Sequence, residues 1–484
     1  MTHYEAFKER IGRAALQFRQ TDGKATVRII SNYDADGITA CSILVKAVER
    51  ENRKYSVTIL QQLTEPLLEQ FAQEPHTLYL FADLGTKHLE NIAKRFAGKQ
   101  VFILDHHELP STVEEYPNVV LTNPHCDGID GGKEISAAGI CFFFAHALNP
   151  KNRDMAPIAL VGAIGDIQEE HGFRPLNQEI LDIAIKEQFI RQRRTLRCFG
   201  SSTRPVHKIL EYTTNPFIPG VSGNESAAIH FLQQIGINPK NGNSWKTLGD
   251  LNEEETSRLI AGIVMKRNGE ASPEDILGFT YTLLQEKENT PFRDAKEFAT
   301  LLNACGRLDK ASYGIGACLG DKRMQQKAMQ HLQEYKKAIV RGMEWVRKQR
   351  GTPSILEEEG VVIINARESI HHAIIGTLAS MMAKSGECPE GTFILGLARN
   401  SQETTKVSIR LSGKQELPLH SIIQEIVQRT GGEAGGHGNA AGALISREKE
   451  EEFVMHAKEI LRMHREKLLG QEYQLGREHG SSRA

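Results

Sequence analysis

Over the first 165 or so residues, apolar and polar positions repeat one unit: a short apolar, β-branched run, a polar turn, then a stretch with helical spacing. The runs at 25–30, 55–60, 77–81, 100–104 and 119–122 predict five strands. Between them, 38–50 and 135–148 place apolar residues on one helical face, as right-handed crossovers of a parallel sheet require. The opening stretch, residues 1–20, predicts an amphipathic helix. These features make the fold class α/β.

From about 167 to 320 the pattern loosens into helical segments broken by turns. Residues 321–350 contain no proline and stop before Gly351-Thr-Pro353, which predicts one long joining helix. Strand patterns then return at 360–364, 392–397, 406–410 and 442–445, with helices near 371–384 and 420–429. The expected domains are a catalytic core at 1–195, a largely helical module at 196–320, the linker helix 321–350, a smaller α/β domain at 351–470 and a flexible tail at 471–484.

A chain of 484 residues exceeds one ordinary hydrophobic core, in keeping with that division. No run reaches the length of a membrane span and no secretion signal opens the chain, so a cytoplasmic protein without membrane contact is expected. Seven scattered cysteines without a CxxC pair predict neither a structural zinc nor a disulfide framework. Fifty-nine basic against 61 acidic residues leave a formal charge of −2, so any polyanion must be met by local patches. The run Arg191-Gln-Arg-Arg-Thr-Leu-Arg197 and the stretch 336–350 are candidates, each weighed against the solvated face of a long helix.

Acids recur just beyond the carboxyl ends of successive strands, where open α/β sheets bind their ligands. They are Asp34-Ala-Asp36-Gly, Asp83, Asp105-His106-His107 and, after a further helix, Gly165-Asp166. Alone, Asp34 and Asp36 read as a helix cap or Asx turn, and a His-His pair as a surface feature. Four such motifs in order favour a shared site instead. Carboxylates and imidazoles crowded at one edge need a cation, and mixed oxygen and nitrogen donors suit manganese or magnesium.

These four motifs resemble those of the DHH phosphoesterase superfamily. The resemblance implies two metal ions, Mn2+ with Mg2+ as the alternative, with Asp36, Asp83, His106 and Asp166 around one and Asp34 and Asp83 on the other. It implies that His107 stabilises charge on the scissile phosphate and that Asp105 orients the histidines. Ile30 and Asn32 stand where members often carry a histidine or an acid, which implies fewer charged ligands for the second ion.

Further motifs extend the resemblance along the chain. Gly435-Gly436-His437 resembles the loop of the family's C-terminal domain, beside Ser408-Ile-Arg410 and His371-His-Ala-Ile-Ile-Gly376. Asn303-Ala-Cys-Gly-Arg307 resembles a RecJ segment that contacts nucleic-acid phosphate. Asn303, Arg307, His371, Ser408, Arg410, Gly435, Gly436 and His437 are therefore the expected substrate-binding set. The overall look is of the archaeal RecJ-like group, which includes the GINS-associated nuclease. It implies an exonuclease on single-stranded DNA or RNA, in replication, repair or RNA turnover, with GINS or other replisome components as partners. A small-substrate phosphodiesterase, acting on short oligonucleotides or cyclic dinucleotides, and a replisome scaffold are the alternatives.

Overall fold

A computed structural model gives the fold over residues 2–481, leaving undescribed 171, 197–199, 201–202, 214–216, 270–271, 359, 386, 401–402, 414–416, 438–439 and the side chains of 436–437 and 469–481. The chain divides into two compact units, Met1–Leu332 and Gln333–Ala484.

The first unit opens with α1 (His3–Gln20), started by a capping box between Thr2 and Glu5 that satisfies two end amides reciprocally. There follow β1 (Val27–Asn32), α2 (Ala35–Arg50), β2 (Tyr55–Leu60), α3 (Glu65–Gln73), β3 (Leu78–Ala82), α4 (Leu89–Arg95), β4 (Gln100–Leu104) and β5 (Val119–Thr122). All five strands pair in parallel in the order β2-β1-β3-β4-β5. Val27, Ile29 and Ile30 of β1, all of β3 and 101–104 of β4 are buried, as strands covered by helices on both faces must be. The strand order reverses between β1 and β3. In open sheets such a reversal leaves a crevice at the strands' carboxyl ends.

Three more helices follow: α5 (Ala137–Leu148), which meets β3 and β4, α6 (Ala156–Gly165), packed on α2 and α5, and α7 (Pro175–Lys186), packed on α6. β6 (Ile190–Leu196) comes next, so the basic run beginning at Arg191 lies on a strand rather than on a long helix. The segment after it forms α8 (Val206–Tyr212), α9 (Glu225–Gln234), the short hairpin of β7 (Lys240–Asn241) and β8 (Ser244–Trp245), and α10 (Glu253–Lys266). These close on a core of their own that includes Ile209, Leu232, Leu259 and Ile263. β9 (Leu277–Leu283) returns antiparallel to β6, a two-stranded ribbon within the stretch expected to be helical. The unit ends with α11 (Ala295–Arg307) and α12 (Ala311–Cys318).

A long helix, α13 (Lys322–Gln349), carries the chain into the second unit. That unit contains β10 (Ile355–Glu358), β11 (Val361–Asn365), α14 (His372–Lys384), β12 (Phe393–Arg399), β13 (Thr404–Leu411), α15 (Leu419–Thr430), β14 (Glu433–His437), β15 (Ala440–Ser446) and α16 (Glu450–Ser481). Its mixed sheet runs β10-β11-β12-β13-β15-β14, with only β11 and β12 parallel. Gly435 to His437, expected as a loop, form the edge strand β14. α16 continues to Ser481, into the segment expected as a tail. The molecule is thus α/β, with a parallel sheet in the first unit and a separate smaller α/β domain after it. Among the described residues no helix is long and apolar enough to cross a membrane.

Candidate metal centre

Asp34 and Asp36 leave β1 and enter α2, and both carboxylates answer helix ends. Asp34 is the N-cap of α2 and its Oδ1 accepts the Gly37 amide at 3.0 Å. Asp36 is buried and turns to a different helix. Its Oδ2 and Oδ1 accept the Ala137 and Ala138 amides, at 2.7 and 3.0 Å, in the first turn of α5. A negative charge at that amide-rich end is favoured. Gly162 of α6 lets the helices close on it, since a Cβ there would lie 2.6 Å from Asp36 Oδ1.

Asp83 follows β3 with φ of +58°, a left-handed conformation uncommon for residues other than glycine and concentrated at functional sites. Its Oδ1 lies 3.3 Å from His106 Nε2 and 3.9 Å from His107 Nδ1. Its Oδ2 is buried without a hydrogen-bond partner among the described residues. Asp105, past β4, accepts the Thr86 amide at 3.0 Å through Oδ2 and the Nδ1–H of His107 at 2.7 Å through Oδ1.

The orientation of His106 follows from its second nitrogen. Nδ1 lies 2.8 Å from the Gly131 carbonyl, which can only accept, so Nδ1 carries a hydrogen and Nε2 is the nitrogen that gives a lone pair when the ring is neutral. That Nε2 faces Asp83 Oδ1, Asp166 Oδ2 at 3.4 Å and Asp36 Oδ2 at 3.9 Å. Asp166 caps the end of α6. Gln168, two residues after Asp166, donates its Nε2–H to the same carbonyl at 2.9 Å, while Asn177 Nδ2–H donates to Gln168 Oε1 at 2.8 Å. Gly131, Gln168 and Asn177 escaped the sequence reading, because a backbone carbonyl and two side-chain amides, one of them on the buried face of α7, leave no motif.

Among the described residues two groups of donor atoms within 4.8 Å of one another result: Asp83, His106 and His107, and Asp36, His106 and Asp166. Asp34 is in neither, though its charge acts on Asp36 and Asp83. Burial pushes Asp36, Asp83 and Asp166 above the ordinary carboxylate range; Asp34 adds to the rise at Asp83 and Asp36 at Asp166. Burial alone would lower His106, but Asp83, Asp166 and Asp36 outweigh it and hold the imidazole well above its usual value. Burial likewise opposes ionisation of Asp105, yet His107 reverses the balance and keeps it below the usual carboxylate range. Three crowded carboxylates, one with an orphaned buried oxygen, and an imidazole lone pair fit a divalent cation.

Of the expected substrate residues in this unit, Asn303 accepts the Ala35 amide at 3.0 Å, beside the Asp34 cap. Arg307 ends the same helix, α11. Gly306 between them lies so close to the loop before α2 that a Cβ would come within 1.6 Å of the Tyr33 carbonyl. In the second unit the register sets Ser408 opposite Gly442, and Gly442 opposite Gly435. Gly376 of α14 faces Ser408 Oγ and Arg410 Nη2 closely enough that a Cβ would lie 3.0 and 3.4 Å away. Arg410 is held by Ser380 Oγ at 2.8 Å and the Ile409 carbonyl at 2.7 Å. His371 caps α14 through Nδ1. Gly436 lies opposite Ala441 in β14, and the side chain of His437 is outside the described residues.

The chain matches the DHH family N-terminal domain over residues 26–165, the DHH-CID domain over 198–275 and the DHHA1 domain over 359–463. It is a DHH-domain protein. This DHH protein is 29% identical over 448 residues to an uncharacterized protein of Methanocaldococcus jannaschii, spanning 90% of the chain and 93% of the relative. It is 28% identical over 156 residues to the single-stranded-DNA-specific exonuclease RecJ of Bacillus subtilis, a match covering 30% of the chain and 19% of that exonuclease. Its fold is similar to exonuclease RecJ bound to manganese, with TM-score 0.55, 15% identity and coverage of 93% and 94% of the two chains. It is also similar to CDC45 from Entamoeba histolytica, with TM-score 0.64, 12% identity and coverage of 96% and 99%. The DHH protein thus has a RecJ-like phosphoesterase fold, and its acids and histidines can hold a metal ion.

Proposed function

We propose that the protein is a metal-dependent exonuclease that hydrolyses phosphodiester bonds of single-stranded DNA or RNA. The observation that supports it best is the Oδ2 of Asp83, a buried carboxylate oxygen beside His106 with no hydrogen-bond partner among the described residues. Asp36, Asp83, His106 and Asp166 would hold one Mn2+, and Asp34 with Asp83 would hold a second, Mg2+ being the alternative ion. Bound there, such ions neutralise phosphate charge and acidify an attacking water.

The chain's own groups prepare the rest. The Gly131 carbonyl fixes the His106 tautomer, so Nε2 is available as a ligand. Asp105 holds the His107 ring through Nδ1, placing it to stabilise charge that develops on the phosphate as the P–O bond breaks. Arg307 and Arg410 take substrate phosphates, with Ser408, His371, Asn303 and the Gly435-Gly436-His437 strand completing the binding set. The single-strand preference draws on the likeness to the Bacillus subtilis exonuclease over 156 residues. GINS or another replisome component is the proposed protein partner.

End-labelled single-stranded DNA and RNA, digested with Mn2+ or Mg2+, test the reading. Asp83→Ala is expected to remove nearly all cleavage, and substantial retained activity would exclude the bridging role. A length series separates the exonuclease from a small-substrate phosphodiesterase, which would prefer the shortest oligonucleotides.

A further inference from the structure

The antiparallel ribbon of β6 and β9 carries chemistry that the metal centre does not use. Its register sets Arg191 opposite Thr282, Arg193 opposite Thr280 and Arg194 opposite Phe279. Directly opposed residues share a face, so Arg191, Arg193, Thr280 and Thr282 form one polar face. Ile190, Tyr281 and Leu283, buried, belong to the other. Arg191, Arg193 and Arg194 are exposed, and among the described residues none has an ion-pair partner. Several arginines elsewhere differ in this: Arg28, Arg50, Arg95, Arg267 and Arg399 each hold a carboxylate. Like charges crowded on one short strand destabilise it unless something neutralises them.

The ribbon is joined to the metal centre. Ile164 and Glu169, two residues before and three after Asp166, line one small cavity with Phe279, Thr280 and Tyr281 of β9. Glu169 is also bridged by Lys296 of α11 at 3.2 Å, the helix that carries Asn303 and Arg307. Along a strand, positions two apart repeat every ~6.7 Å, a spacing compatible with successive phosphates of an extended single strand. Guanidinium forks suit those phosphates, and their attraction carries no sequence preference.

We propose that the Arg191–Arg193 face of this ribbon is a track for the phosphates of a single-stranded nucleic acid whose reacting end lies at the metal centre. This rests on the exonuclease reading and adds to it a second, distal binding surface. Charge complementarity and continuity with Asp166 favour a polynucleotide over an acidic protein. Short substrates occupy the metal centre alone. Longer ones reach the track.

The test uses the full chain and the double variant Arg191→Gln/Arg193→Gln. Anisotropy of labelled single strands of about four and about twenty nucleotides is measured without divalent metal across a salt series, then cleavage of both with Mn2+. The variant is expected to bind the long strand about tenfold more weakly, with a salt slope smaller by about 0.7 per lost contact, and to bind and cut the short one as wild type does. Arg191→Lys/Arg193→Lys restores the slope, which separates lost charge from misfolding. Equal binding of the long strand by wild type and variant overturns the track, as does equal weakening at both lengths. Wild-type failure to bind the strands while binding an acidic polypeptide through these arginines also overturns it. If wild type binds but cuts neither strand, the exonuclease reading fails while the binding comparison still decides the track.

Discussion

The Gly131 carbonyl accepts both His106 Nδ1–H, at 2.8 Å, and Gln168 Nε2–H, at 2.9 Å, so one backbone oxygen sets the ring that faces three carboxylates. Gln168 is buried and is itself held by Asn177, which makes it a positioning residue. Gln168→Leu is expected to weaken Mn2+ binding about 10- to 100-fold, as loss of outer-shell support does. Calorimetric titration reads this directly. Unchanged affinity would show that His106 needs no such support.

Metal binding should depend on pH with a definite sign. Burial raises Asp36, Asp83 and Asp166, so the metal-free protein retains protons there that a cation must displace. A raised acid contributes stability that is full below its unfolded value and is lost as pH rises through its folded value. The metal-free protein is therefore expected to melt lower at pH 8 than at mildly acidic pH, with Mn2+ reversing the order. Calorimetry in buffers of different ionisation enthalpy should show proton release on binding, and a pH-independent affinity would contradict it.

Much of the catalytic half was legible because its physics is local. Strands at 100–104 and 119–122 stand at the predicted residues, and acids just past β1, β3 and β4 meet where the strand order reverses. The ribbon was not legible: Arg191 to Thr195 shows no apolar alternation, since one of its faces is wholly polar. Gly435 and Gly436 read as a loop for a related reason. An edge strand of glycines has no side chains to reveal its period, and only pairing with β15 makes it a strand.

In the second unit, Glu450 accepts Arg399 Nε at 2.9 Å and Nη2 at 3.1 Å and also bonds Thr405 Oγ1. Burial raises its pKa, but the Arg399 hydrogen bonds outweigh this and leave it below the usual value. Its contribution is present above the unfolded carboxylate pKa and is lost as pH falls through the lower folded one. Glu450→Ala is expected to cost about 1–2 kcal/mol, because Arg399 keeps Glu368 at 2.6 Å while Thr405 and the Nε side of the guanidinium lose their acceptor. Urea unfolding at pH 7 and pH 4 should show that difference narrowing in acid.

Gly306→Ala tests the seating of α11 on the loop before α2. With the Tyr33 carbonyl 1.6 Å from the added Cβ, the helix must shift. We expect a melting temperature lower by several degrees and weaker binding of a single strand, because Asn303 and Arg307 move together. Wild-type values for both would mean that the loop yields instead.

His106 belongs to both donor groups, and its Nδ1 is committed to the Gly131 carbonyl. An imidazole nitrogen has a single lone pair to give. Two cations cannot share it, so of two ions bound here one would go without Nε2, have fewer ligands from the chain, and stay open to oxygen from outside it. Water can supply that oxygen, and so can the phosphodiester itself, which would make the incoming strand one of its own metal's ligands.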